Sequence, residues 1–182
     1  GIETDRLFTS VMTDHGKLGK SLADAVIQGK AVKVGILSGN QSQLGMRQRL
    51  KSVKDKLEEA GIEISWILSE KELDKKMRNV EYFAENPVDT VISLENDDTE
   101  KAVDIILNHD SISWKLYGEG RSEKLIYYLD KGTIQELAVP NEYYMGYQSI
   151  VLAAQNIRYY TDKTEQAEVE FYMVSKDNLY DE

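Results

Sequence analysis

A chain of 182 residues, 41% hydrophobic and 30% charged, is long enough to bury one core without metals or disulfides, and its 2 prolines argue against long disordered linkers. A net charge of −10, from 22 basic and 32 acidic residues, excludes a broad basic footprint for nucleic acid or anionic membranes, so no nucleic-acid partner is expected through this domain. Zero cysteines exclude disulfides and thiolate chemistry and leave the compartment open.

The N-terminus has neither a basic n-region nor an apolar h-region, and no window approaches 18 uninterrupted apolar residues. Arg6 to Thr13 reads as a strand with almost nothing before it. The chain therefore reads as a piece of a longer polypeptide, with Gly1 a cloning remnant.

Gly16 to Gln28 then places Leu18, Leu22, Ala25 and Val26 on one helical stripe, with Gly29 as its C′ residue. Val32 to Leu37 is a compact β-branched strand closed by Ser38-Gly39-Asn40, and the next helix carries Leu50, Val53, Leu57 and Ala60 before Gly61. Ile62 to Leu68 alternates in part like a strand. Ser69 with Glu72 forms a capping-box pattern ahead of a helix using Leu73, Met77, Val80 and Ala84, ended by Asn86-Pro87.

A strand over Val88 to Leu94 and a helix from about Asp98 to Leu107 follow. Next come a strand over Ser113 to Tyr117, a helix around Glu123 to Leu129, and a strand over Ile134 to Val139. A longer helix over Tyr143 to Tyr159 and a terminal strand over Glu168 to Val174 close the chain. Strands alternating with helices are the mark of βαβ units, so the predicted fold is α/β: a three-layer αβα sandwich with a mostly parallel sheet.

In such sheets ligands bind outside the carboxyl ends of the strands. The junctions there are polar: Thr13-Asp14-His15, Gly39-Asn40-Gln41-Ser42-Gln43, Glu95-Asn96-Asp97-Asp98, Gly118-Glu119-Gly120-Arg121-Ser122 and Pro140-Asn141-Glu142-Tyr143. The opposite junctions, such as Gly29-Lys30 and Lys131-Gly132, are plain stops. Amides and carboxylates above helix N-termini orient a polar, many-hydroxyl solute through paired donors and acceptors.

Asp97 with Glu100 matches a capping box, which assigns Asp97 to the cap and leaves Asn96 as the contact candidate. Asn40 and Ser42 serve equally as caps of their own helix or as contacts, and Tyr143, at the loop end, is placed to stack on a sugar. Gly118-Glu119-Gly120 lacks the third glycine of a dinucleotide fingerprint, and no P-loop lysine follows Gly39. His15 and His109, the 2 histidines, lack zinc spacing, and no GxSxG elbow or triad is visible. No cofactor, no metal and no catalytic residue is expected.

Several segments then fall into a familiar order. They are Val11 to Gly19 with Asp14, the Gly39 loop followed by Arg49 and Leu57 to Gly61, and Pro87 to Asn96-Asp97. Gly118, Leu129 to Ile134, Met145-Gly146-Tyr147 and Val174 to Asn178 follow. With them the chain resembles the type I periplasmic-binding-protein family, the ribose-binding and lac-repressor-like core, over Val11 to Tyr180.

The resemblance implies one lobe of a two-lobed solute-binding protein, truncated at the N-terminus. Its C-terminal lobe would cover about 16–139 and 165–182, and N-terminal-lobe remnants about 5–15 and 140–160. It also implies ligand contacts at Arg49, at Asn96, and at Asp14 on the lobe crossover. Two departures accompany it: Gly120 stands where a ligand-binding aspartate is usual, and Pro140 where a glutamine is usual, so two hydrogen-bonding anchors are gone.

The expected function is non-catalytic binding of a sugar or other small polar solute, outside the cytoplasm, feeding a membrane transporter or sensor, with a homodimer as a further partner option. The expected contacts are Asp14, Asn40, Gln41, Arg49, Asn96, Asn141 and Tyr143. Two alternatives stand beside it. One is the effector-binding core of a lac-repressor-like regulator. The other is a Mg²⁺-dependent phosphoryl receiver or hydrolase using Asp97 and Asp98, for which the loops after Tyr117 and Val139 lack the required lysine.

Overall fold

The computed structural model describes residues 9–79, 81–159 and 165–180. In chain order the elements are β1 (Thr9–Met12), α1 (His15–Gln28), β2 (Lys33–Leu37), α2 (Leu44–Glu59), β3 (Glu63–Leu68), α3 (Glu70–Lys76), α4 (Glu81–Glu85) and β4 (Thr90–Ser93). There follow α5 (Asn96–Asn108), β5 (Lys115–Glu119), α6 (Glu123–Asp130), β6 (Ile134–Pro140), α7 (Glu142–Tyr159), β7 (Glu165–Glu168) and β8 (Phe171–Ser175).

Six strands form one sheet in the order β3-β2-β4-β5-β6-β8, parallel except for β8, which runs antiparallel to β6. Successive side chains of a strand face opposite sides, and each strand accordingly feeds two cores. Val91, Leu116 and Leu137 join Leu73, Phe83, Val103, Leu125 and Leu129 of α3 to α6 on one face. Ile92, Tyr117 and Ala138 join Leu18, Leu22, Val26, Val53 and Leu57 of α1 and α2 on the other. This is the three-layer α/β sandwich predicted from the sequence.

The second sheet has two strands, β1 and β7, paired in parallel. Three segments join the six-stranded sheet and its helices to the two-stranded sheet and α7: Met12 to Asp14, Pro140 to Asn141, and Glu168 to Glu170. They lie side by side, since Val169 N–H donates to the Met12 carbonyl at 2.9 Å and Asn141 N–H to the Glu170 carbonyl at 3.4 Å.

Several expectations shift. The single terminal strand over Glu168 to Val174 is two strands in different sheets, broken where buried Val169 is tied to Met12. The helix expected from Ser69 onward is two, α3 and α4. Its capping box is present, with Glu72 Oε2 accepting from Ser69 N–H at 2.9 Å and Ser69 Oγ–H at 2.6 Å. Val80, Tyr160 and the Arg6 to Phe8 part of the opening strand lie outside the described residues. Gly29 has φ −70° and is not the left-handed residue; that is Lys30, at φ 57°. Gly29 is needed for room instead, because a Cβ there would stand 2.1 Å from the Tyr117 hydroxyl oxygen.

Among the described residues no helix is long and apolar enough to cross a membrane. The α3–α6 core is centred on Trp66, Phe83 and Trp114, whose ring centroids lie 5.1 to 6.0 Å apart in tilted and edge-on pairs. Phe83 is 2% exposed, so Phe83→Ala leaves a cavity between the two tryptophans. A loss of about 3 to 5 kcal/mol is expected in urea unfolding with an unchanged m-value; a loss below about 1 kcal/mol would contradict the packing described.

Candidate functional site

The strand order reverses between β2 and β4: β2 leads to β3 on one side, and the chain then crosses to β4 and proceeds to β5 and β6 on the other. Helices diverge at such a switch point and leave a crevice at the carboxyl ends of the strands. The loops after β2 and β4 meet there. Asn40 N–H donates to Glu95 Oε2 at 3.2 Å, and Gly39, at φ 64°, admits the contact, since a Cβ would stand 2.6 Å from the same oxygen.

Arg49 lies beneath this crevice. The glycines of α1 and α2 explain how an arginine comes to be only 4% exposed. A Cβ on Gly19 would meet the Arg49 carbonyl oxygen at 2.5 Å, and one on Gly45 would meet the His15 ring at 2.5 Å, so the two helices approach closely at their N-terminal ends. The guanidinium then ties three elements together. Its Nε donates to His15 Nδ1 at 3.1 Å, its Nη1 donates to the Leu94 carbonyl at 2.5 Å, and the same nitrogen pairs with Glu119 Oε2 at 3.4 Å.

These contacts set the ionisation of the neighbours. Accepting at Nδ1 requires a neutral His15 with its proton on Nε2, and burial, followed by the Arg49 charge, lowers its pKa from 6.5 to about 4. Burial also pushes the Glu119 carboxyl above its usual range, with Arg49 opposing.

The remaining strand ends are bound into the same frame. Thr99 Oγ–H lies 2.8 Å from both the Glu95 and the Glu119 carbonyls. Asn96 Oδ1 accepts from Arg121 N–H at 3.2 Å, and its Nδ2 donates to Asp97 Oδ1 and Glu100 Oε1 at 3.3 Å each. A Cβ on Gly120, at φ 145°, would meet Asn96 Oδ1 at 2.5 Å, so the glycine in the place of an acidic anchor is what lets Asn96 reach the loop.

The seven expected contact residues thus fall in two groups. Asn40, Gln41, Arg49 and Asn96 gather at the switch point. Asn40 Oδ1 accepts from Ser42 N–H at 3.0 Å and Ser42 Oγ–H at 2.7 Å, and Gln41 Nε2 donates to the Ser38 carbonyl. Asp14, Asn141 and Tyr143 stand at the crossovers. Asp14 Oδ1 accepts from Lys17 N–H at 2.8 Å and Asn141 Oδ1 from Tyr144 N–H at 3.0 Å, so both cap helices, while Tyr143 is 82% exposed. A cavity of about 350 Å³ lined by Met12, Thr13, Asp14, His15, Gln48, Ala167 and Glu168 adjoins the crossovers. Another of about 390 Å³, lined by Asn141, Tyr144, Glu168, Glu170 and Tyr172, lies on the strands that follow.

Two cap assignments are corrected. The residue before α5 is Glu95, and Asp97 sits exposed in the first turn, where it accepts from Asn96 rather than capping the backbone. The helix starts earlier than expected because Glu95 is already extended, with φ −145°. Neither Asn40 nor Ser42 caps α2; its cap position is Gln43, and the two residues close a turn of their own. Glu95, Glu119 and His15, read only as parts of polar loops, are the members the sequence left unassigned.

Asp98 turns inward, 0% exposed, with Oδ1 3.4 Å from Lys101 Nζ and no hydrogen-bond partner for Oδ2. Burial raises its pKa from 3.8 to about 6. Asp97 and Asp98 therefore point apart, and among the described residues no group of three His, Cys, Asp or Glu is placed to hold a metal.

Asp98 and His15 act oppositely on stability. With its folded pKa lowered, His15 contributes stability present above pH 6.5 and lost as the pH falls toward 4. Asp98, raised, contributes stability present below pH 3.8 and lost as the pH rises through 6. Urea midpoints at pH 4 to 7 should therefore climb with pH in Asp98→Asn, which gains on the order of 2 kcal/mol at pH 7, and should fall with pH in His15→Gln. Parallel slopes in the two variants would refute both assignments.

The model of a family described as periplasmic binding protein domain matches residues 2–160. No curated protein matches. Among solved structures, a carbohydrate transporter solute-binding protein from Agrobacterium radiobacter in complex with D-arabinose superposes with a TM-score of 0.88 at 18% identity, over 100% of this chain and 65% of that one. A substrate-binding protein of a sugar ABC transport system from Bordetella parapertussis gives 0.85 at 17%, over 100% and 62%. A LacI transcriptional regulator assignment from Bacteroides fragilis gives 0.81 at 14%, over 98% and 66%. The chain thus spans somewhat under two thirds of the length of these structures, and the likeness shows the fold.

Proposed function

The chain belongs to the periplasmic binding protein domain family, and on that premise we propose that it binds a sugar or similar small polar solute without catalysis, outside the cytoplasm, for a membrane transporter or sensor. The observation that carries this reading is the gathering of amide and carboxylate side chains from the β2 and β4 loops at the switch point, beside the buried Arg49. The D-arabinose complex of the Agrobacterium structure supports the ligand class.

The six-stranded sheet and its helices form one lobe in this reading. The other lobe contains β1 and α7, and also β7, because β7 pairs with β1. The three side-by-side crossovers form the hinge, and closure around a solute proceeds by small backbone rotations there. Asn40, Gln41 and Asn96 meet the solute from the switch point with Arg49 behind them. Asp14, Asn141 and Tyr143 approach it from the hinge side.

A second reading, the effector-binding core of a transcriptional regulator, is favoured by the Bacteroides structure. The polypeptide ahead of Gly1 discriminates the two: a helix-turn-helix belongs to the second, a signal or anchor to the first. The phosphoryl-transfer reading finds no support, since Asp97 and Asp98 face different environments.

Calorimetry of the full-length protein against D-arabinose, D-ribose and myo-inositol should return at least one binder, and small-angle scattering should show compaction on addition. In Asn96→Ala the affinity should fall about tenfold or more, the cost of about one well-made hydrogen bond to a buried polar partner. Uptake of none of a broad sugar and polyol panel would contradict the proposal.

A further inference from the structure

We propose that Glu119 is a specificity-determining residue of this site, one that cancels the anion-attracting charge of Arg49 and so selects uncharged or amino-bearing polar solutes over acidic ones. The inference rests on the solute-binding reading above and names the class of solute.

A buried guanidinium with no counter-charge is a strong anion site, because water no longer screens it. Arg49 does not present itself in that state. Its side chain is 5% exposed, and the more accessible partner of the pair is Glu119, at 12%. Nε of Arg49 donates to His15, and Nη1 donates to the Leu94 carbonyl beside its contact with Glu119.

The surroundings act in the same sense. Glu95 and Glu142 both lie near enough to bring further negative charge to the pair, and the positive charge of Arg121 is matched by Glu142 at 3.4 Å. Around the pair, the three carboxylates of Glu95, Glu119 and Glu142 outnumber the two guanidiniums of Arg49 and Arg121. The pair separation of 3.4 Å is long for a charge-assisted hydrogen bond. A hydroxyl that accepts from Arg49 and donates to Glu119 satisfies both groups, whereas a carboxylate or phosphate meets repulsion from Glu119.

The position of the carboxylate follows from strand geometry. Glu119 and the next residue point to opposite sides of the sheet. The side of residue 120 is occupied by Asn96 and Leu125, and the side of Glu119 carries Arg49. An acidic residue at 119 is thereby placed to neutralise the arginine.

The test is calorimetry of the full-length protein with matched probes: D-galactose with D-galacturonate, D-glucose with D-glucuronate, and D-glucosamine as the amino-bearing member. Wild type should bind a neutral or amino member at least about tenfold more tightly than its acid counterpart, the selectivity expected from one like-charge contact. Glu119→Gln should shift that ratio by about tenfold or more toward the acid, and Glu119→Asp, which keeps the charge, should preserve the wild-type order.

Folding of each variant is checked by thermal melting. If Glu119→Gln does not fold, the wild-type and Glu119→Asp orders decide. Wild type or Glu119→Asp preferring the acid, or a folded Glu119→Gln with an unchanged ratio, overturns the role of Glu119 alone. Wild type that takes up none of these probes overturns this assignment, and wild type that also takes up none of D-arabinose, D-ribose and myo-inositol overturns the solute-binding reading with it.

Discussion

The carboxyl end of the sheet depends on one buried guanidinium. Arg49 reaches from α2 to the start of α1, the end of β4 and the end of β5, so a single planar group fixes the relative positions of the elements that border the crevice. An arginine suits this task because its donors radiate in a fixed plane and it does not lose its proton on burial. The cost of burying it is offset by three partners, and the arrangement is possible only because Gly19 and Gly45 let the helices close on it. Removing one partner would leave an uncompensated charge, which is far more costly than the pair is stabilising.

Around that tie the loops are joined pairwise rather than left free. Glu95 links the β2 and β4 loops, Thr99 links β4 to β5, and Asn96 holds the Gly120 turn. The strand ends are thus preorganised by the protein's own hydrogen bonds, and in the proposed reading the motion that encloses a solute falls in the three crossovers instead. This division, a rigid rim with the flexing confined to a few backbone bonds, keeps the ordering cost of binding small.

The alternation of strands and helices was legible in the sequence because each strand carries a short apolar run and each helix a 3.6-residue stripe. The placement of polar residues at the carboxyl ends was legible for the same reason. What escaped are features that depend on contacts across the chain. Glu168 to Val174 reads as one extended run, yet Val169 is captured by Met12 in a different sheet. Asp97 matches a capping pattern, but Glu95 already occupies the extended position before the helix. Arg49 sits near the start of a helix, where a cation is locally disfavoured; its partners come from residues 34 positions or more away, beyond any local rule. Glu119 escaped because the strand reads as ending at Tyr117, and only the structure extends it to Glu119.

The measurement that tests this account most directly is amide hydrogen exchange on the full-length protein with and without saturating D-arabinose, or whichever sugar binds tightest. Added protection should appear in the loops 38–41, 95–97 and 119–121 and in the crossovers at 12–14, 140–141 and 168–170, with the core strands unchanged. Protection confined to other surfaces, with these six segments unaffected, would contradict the location of the site and the hinge.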